Sequence, residues 1–119
     1  MTINNELYFQ AGKIILSAGI PVNYSAYDYF CLAVCMVAED QNRLSLLTKS
    51  VYPDIAKMRG CSAANVQRNM HTALTAAWTK RHDSLQQLYF RLSGRTFSRR
   101  PTPGEFIGLA VMILALERG

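Results

Sequence analysis

The sequence predicts an all-α domain of six helices containing a helix-turn-helix, and three observations carry that prediction. Apolar residues recur with helical rather than alternating period along nearly the whole chain. Glycine and proline stand where helices must stop, at Gly19-Ile20-Pro21, Gly60 and Gly94. Capping residues stand where they must start, at Ser62, Asp83 and Thr102-Pro103-Gly104-Glu105. At 119 residues the expectation is a single domain over residues 1–119, large enough to fold without a disulfide or metal staple.

Taken in order, a first helix runs from about Asn5 to Ser17 and ends before Pro21, which cannot continue it. Leu7, Phe9 and Ile14 suit such a helix. A second, from about Ser25 to Asp40, is apolar on most sides through Tyr27, Phe30, Leu32, Val34, Met36 and Val37, so it should be the central core helix. A short third helix starts with Pro53 at its first position and carries Asp54-Ile55-Ala56-Lys57 before Gly60 breaks it. Ser62 caps a long fourth helix reaching about Arg81. Asp83 is expected to cap a fifth, Ser84 to Leu92, closed by Gly94. A basic loop, Arg95–Pro101, then leads to the last helix, where Thr102 and Glu105 form a capping box with Pro103 at the first helical position.

Charge narrows the function classes. The net charge is +5, but residues 43–100 hold eleven bases against Asp54 and Asp83, while residues 1–42 hold only Lys13 against four acids. A basic block inside a folded domain marks a polyanion-binding face. No apolar run reaches the length of a membrane span: Phe106 to Leu116 is interrupted by Gly108 and stops at Glu117. The N-terminus carries no cationic segment before an apolar core, so no secretion signal is expected and a cytoplasmic protein is. Cys31, Cys35 and Cys61 are an odd count with no His or further Cys at ligand spacing, which favours small buried hydrophobes over a metal or redox pair. Neither His71 nor His82 has neighbours suggesting a triad or metal site, so neither an enzyme nor a cofactor is expected.

The short third helix, the turn at Gly60 and the long fourth helix make the helix-turn-helix. At about 100° per residue, Val66, Met70, Ala73, Leu74 and Ala77 form one buried stripe with Trp78 at its edge. Arg68, Thr72, Thr75 and Thr79 point the opposite way, flanked by Asn65 and Asn69 on one side and Gln67 and His71 on the other. This face holds no acid, which phosphate would repel, and its arginine, amides and hydroxyls are the types that pair with base edges. Residues 52–59 should brace the DNA backbone, with 62–81 lying in the major groove. Asn65, Gln67, Arg68, Asn69, His71 and Thr72 are the expected base-reading set. Lys49, Tyr52, Lys57, Ser62, Lys80, Arg81, Arg99 and Arg100 are the expected phosphate set.

These residues also carry a resemblance. Tyr52-Pro53-Asp54-Ile55-Ala56-Lys57, Val66 with Arg68, Ala77-Trp78, Asp83-Ser84, and Pro101-Thr102 with Glu105-Phe106-Ile107 resemble the effector domain of the sporulation master response regulator, the stage zero sporulation protein A family. Upstream, Gly19-Ile20-Pro21, Tyr27, Tyr29 and Ala33 fit as well. The resemblance implies a six-helix DNA-binding transcription factor whose helix matching 62–81 reads a box of the TGTCGAA type. It also implies tandem sites and a contact with the sigma subunit of RNA polymerase. Carried over residue by residue, Arg68 matches a retained arginine, and Lys49, Tyr52, Lys57 and Lys80 match the backbone-approaching region.

The departures lie on the reading helix. Where the family has arginine, glutamate and arginine, this chain has Asn65, Gln67 and His71. Exchanging an arginine that grips guanine for Asn65 should move preference toward adenine, giving an operator altered from the family box. The family also carries a phosphorylatable receiver domain ahead of this one, where this chain has about ten residues. It is therefore either an isolated fragment or a regulator without that switch. The rival to sequence readout is a protein-interaction module of the same fold. It draws on the last helix, where Phe106, Ile107, Leu109, Val111, Ile113, Leu114 and Leu116 occupy more than one face, offering a homodimer or polymerase contact. The basic segment favours double-stranded DNA.

Overall fold

The computed structural model describes residues 2–118, and within them every regular element is helical. Helix α1 (Asn5–Ser17) begins where the Asn4 side chain accepts the Leu7 amide at 3.1 Å. It buries Leu7, Ala11, Ile14 and Ile15, while Phe9 faces outward, 71% exposed. Helix α2 (Ser25–Glu39) is enclosed on nearly all sides, from Tyr29 through Val37. It stops one residue short of Asp40, whose carboxylate turns instead to accept the Asn42 amide at 3.1 Å. Of the aromatics near its start, Tyr29 and Phe30 are buried, Tyr27 is half-buried and Tyr24 is exposed.

Both α2 cysteines are buried, and burial foremost pushes their thiols up, Cys31 to about 12 and Cys35 to about 11. Such thiols stay protonated at neutral pH and behave as small hydrophobes. The segment after α2 is a 3₁₀ turn, Gln41–Leu46, passing into a wide helical turn, Leu47–Val51. It carries no sustained apolar period, so the sequence predicts no helix there.

Helix α3 (Tyr52–Arg59) starts one residue before Pro53 and ends at Gly60, which adopts φ +68°. That left-handed conformation suits glycine and lets the Cys61 amide close back onto the Ala56 carbonyl at 3.0 Å. Helix α4 (Ala63–Lys80) follows, its start capped by Ser62 Oγ, which accepts the Asn65 amide at 3.0 Å. The residues it buries are the predicted five, Val66, Met70, Ala73, Leu74 and Ala77.

Helix α5 (His82–Ser93) begins earlier than the sequence suggested, separated from α4 by Arg81 alone. Asp83 is therefore not its cap but lies inside the first turn, where its charge still suits the positive end of the helix. The junction is held differently: His82 Nδ1 faces the Trp78 carbonyl at 3.2 Å, and because a carbonyl only accepts, Nδ1 carries the proton. The turn between α1 and α2 packs against this junction. A Cβ on Gly19, at φ +96°, would sit 2.4 Å from the Arg81 Cβ.

Helix α6 (Pro103–Arg118) opens on the predicted capping box. Thr102 N–H donates to Glu105 Oε1 at 2.9 Å, and Glu105 N–H donates to Thr102 Oγ1 at 3.1 Å. Phe106 meets Phe30 of α2 edge to face, centroids 5.0 Å apart, at the centre of one contiguous core. Phe106, Ile107, Leu109, Ile113 and Leu114 are buried, whereas Met112 and Leu116 are exposed. Among the described residues no helix is long and apolar enough to cross a membrane.

Candidate nucleic-acid interface

Helix α3 is braced at both ends, which fixes how α4 is presented. At its start the Arg43 guanidinium bonds Asp54 and the Ser50 carbonyl. At its end Arg59 makes a two-pronged bond to Asp28 of α2, Nε to Oδ2 at 2.7 Å and Nη2 to Oδ1 at 2.8 Å. Tyr8 of α1 donates to the same Asp28 Oδ1 at 2.7 Å. Burial alone would raise the Asp28 pKa, but the bonds from Arg59 and Tyr8 outweigh it and hold the carboxyl below its ordinary value. Three helices thus meet on one carboxylate, and the first helix of the helix-turn-helix cannot rock independently of α1 and α2.

These pairs change the charge arithmetic. Of the eleven bases in residues 43–100, Arg43, Arg59 and Arg99 are committed to Asp54, Asp28 and Glu105. Lys49, Lys57, Arg68, Lys80, Arg81, Arg91, Arg95 and Arg100 have no carboxylate partner among the described residues. The basic segment is therefore less free than its composition implies, but most of its cations remain available to a polyanion.

The exposed face of α4 is built as the sequence suggested. Gln67, Arg68, Thr72, Thr75 and Thr79 are exposed, and Asn65, Asn69 and His71 are half-buried at its flanks. Thr75 and Thr79 donate their hydroxyls back to the His71 and Thr75 carbonyls, both at 2.9 Å. His71, Thr72, Thr75, Ala76, Thr79 and Lys80 line a shallow open depression along this face.

The loop before α6 is brought onto the same helix. Gln86 of α5 clasps Phe97 through both backbone groups: its Nε2 donates to the carbonyl at 2.8 Å and its Oε1 accepts the amide at 2.6 Å. The Phe97 ring stacks on Tyr89, centroids 4.1 Å apart. Thus held, the loop extends Arg100 across α4, where Nη1 donates to the His71 carbonyl at 3.2 Å and to Thr75 Oγ1 at 3.1 Å. All these partners are neutral, so the Arg100 charge is placed beside the polar face without being cancelled. Arg99 does not join it, because Glu105 grips it with two bonds, at 2.8 and 3.0 Å.

Tyr52 is a correction of a different kind. It is only 4% exposed, and its ring contributes to the core at the start of α3 rather than offering a hydroxyl to a phosphate. Ser62 Oγ accepts the Asn65 amide as the α4 cap, which leaves its own O–H free to donate. Lys49, Lys57, Lys80 and Arg81 are exposed. The residues missed in sequence are the supports: Asp28, Arg43, Arg59, Gln86 and Phe97. Each makes a bond across eleven residues or more, Arg43 to Asp54, Arg59 to Asp28 and Gln86 to Phe97, and no helical spacing signals such a partner.

Residues 12–114 match the family model described as the sporulation initiation factor Spo0A C terminal. The chain belongs to this family. The Spo0A C-terminal family is the DNA-binding domain of a sporulation transcription factor, a regulatory family and not an enzyme family. Its all-α architecture is the one found here, and the matched span takes in the helix-turn-helix, the Arg100 loop and most of α6.

Proposed function

We propose that this protein is a sequence-specific double-stranded DNA-binding transcription regulator that lays α4 in the major groove. The observation that carries the reading is the composition of one braced surface. The outward face of α4 holds arginine, amides and threonines without a carboxylate, and Arg100 is pinned beside it with its charge intact. Arg68, Gln67, Asn69, His71 and Thr72 are the base-facing set, with Asn65 beside them. Lys49, Lys57, Lys80, Arg81 and Arg100 are the phosphate-facing cations and Ser62 keeps its O–H to donate beside them, while Arg99 and Tyr52 serve the fold. The operator departs from the family box because Asn65, Gln67 and His71 stand at positions where the resemblance implies charged residues.

A second reading, an interaction module contacting polymerase or a second copy, draws on exposed Phe90, Met112 and Leu116. Fluorescence anisotropy of labelled duplexes, one carrying the family box and one scrambled, decides between them. DNA binding predicts affinity for both duplexes that falls steeply with salt, at about 0.9 in log–log slope per phosphate contact. Five such cations set a slope of roughly −4 to −5. Absence of binding to either duplex at low salt would sink this reading in favour of the second.

A further inference from the structure

We infer that Asn65 is a positioning residue for Arg68 and not a reader of adenine. The inference rests on the DNA-binding reading above, and it reverses the preference that an asparagine on a reading helix would suggest. Asn65 Oδ1 accepts from Arg68 Nη2 at 2.9 Å and from Asn69 Nδ2 at 3.1 Å. Asn69 Nδ2 donates a second time, to the Asn65 carbonyl at 2.8 Å. The orientation of both amides follows from chemistry: a guanidinium only donates, so the Asn65 atom facing it is oxygen, and the Asn69 atom between two oxygens is nitrogen.

This small network assigns a role to each member. To read adenine, an asparagine must accept from N6 with its oxygen and donate to N7 with its nitrogen. The Asn65 oxygen already serves two donors, so that pairing is closed while the network stands. Asn69 Nδ2 is occupied by the two Asn65 oxygens, which leaves Oδ1 as its open acceptor, suited to a donor such as cytosine N4 or adenine N6. Arg68 gives up one of its five N–H groups and retains enough of its fork for the O6 and N7 of guanine. A long arginine otherwise loses rotamer freedom when it binds, and a neutral acceptor one turn away removes part of that loss in advance.

The test is a double-substitution cycle with a direct probe of the network. An operator is selected from random duplexes with the wild-type protein. Wild type, Asn65→Ala, Arg68→Ala and the double variant are then titrated against it and against duplexes changed at each base pair. Asn65→Ala is expected to bind the selected operator about two- to ten-fold more weakly, to keep the wild-type preference at every position, and to have no further effect once Arg68 is alanine. Loss of preference at an adenine, or an undiminished effect in the Arg68→Ala background, overturns the proposal.

NMR of the DNA-free protein supplies the second readout. Rotation of the Arg68 guanidinium is expected to be slowed in the wild type and freed in Asn65→Ala. Equal rates in the two proteins overturn the clamp whatever the DNA results. Failure of the wild type to bind any duplex would instead reject the DNA-binding reading, leaving these rates to decide the clamp alone.

Discussion

Helices α2 and α4 touch each other across the core, yet they use their surfaces in opposite ways. In α2, ten of fifteen residues are buried, and its one carboxylate near the start, Asp28, is spent on Arg59 and Tyr8. In α4, five of eighteen residues are buried, and the outward face carries amides, hydroxyls and cations and no carboxylate. Both helices are anchored by apolar stripes, but only α4 leaves a continuous polar face. The difference separates stability from recognition: substitutions in α2 should move the folding equilibrium, and substitutions on the outer face of α4 should move binding alone.

The sharpest way to break that separation is Phe30→Ala. Phe30 is fully buried in α2 against Phe106, and truncating it should cost about 3–5 kcal/mol in chemical denaturation, from the lost transfer energy and the cavity left behind. Affinity for DNA, measured where the variant is still folded, should change little. Arg68→Ala is the complementary case. Specific binding should weaken by about 1–3 kcal/mol, while the unfolding free energy stays within about 0.5 kcal/mol of wild type, because the side chain is exposed. Equal losses on operator and random duplex would remove Arg68 from the base-reading set.

Lys57→Ala sharpens the comparison within the helix-turn-helix. Lys57 is exposed on α3, which the Arg43–Asp54 and Arg59–Asp28 pairs fix in place, so its contribution should be charge without readout. Affinity for operator and random duplexes should fall alike, and the salt slope should flatten by roughly one. A loss confined to the operator would move Lys57 into the reading set.

The two regions were also unequally legible in the sequence. The α4 stripe, its Ser62 cap and the Thr102–Glu105 box could be read because period and capping are local properties spanning three or four residues. The segment 41–51 could not, since a 3₁₀ turn followed by a wide turn leaves no repeated apolar spacing. The start of α5 was misplaced because Asp83 looks like a cap in isolation, whereas a single-residue junction at Arg81 and the His82–Trp78 bond set the boundary.

On the candidate interface, residue types were visible but commitments were not. Arg99 and Arg100 are adjacent in sequence, and only the fold sends one to Glu105 and the other onto α4. Asn65 and Arg68 sit one turn apart, a spacing at which side chains meet, but composition alone suggests two readers and not a holder and a reader.

The smallest effect comes from the edge of this interface, through Glu105→Gln. The Arg99 bond foremost, then the Thr102 amide, hold the Glu105 carboxyl at about 2, down from its ordinary value of 4.5. A carboxylate with a depressed folded pKa adds stability that is fully present above about 4.5 and is lost as pH falls toward about 2. Because the pair is solvent-exposed, water screens it and its contribution at neutral pH should be small.

Glutamine retains the capping geometry and removes only the charge. The stability gap between wild type and variant, followed by denaturation across pH, should therefore shrink through that acidic window and close near its lower end. A gap that persists there would assign the effect to the cap and not to the ion pair. The same substitution frees Arg99 beside Arg100, so the variant should bind all duplexes slightly more tightly, with a salt slope steeper by up to roughly one. A stability loss coupled to a gain in nonspecific affinity would make Glu105 the residue that keeps one cation of this loop for the fold.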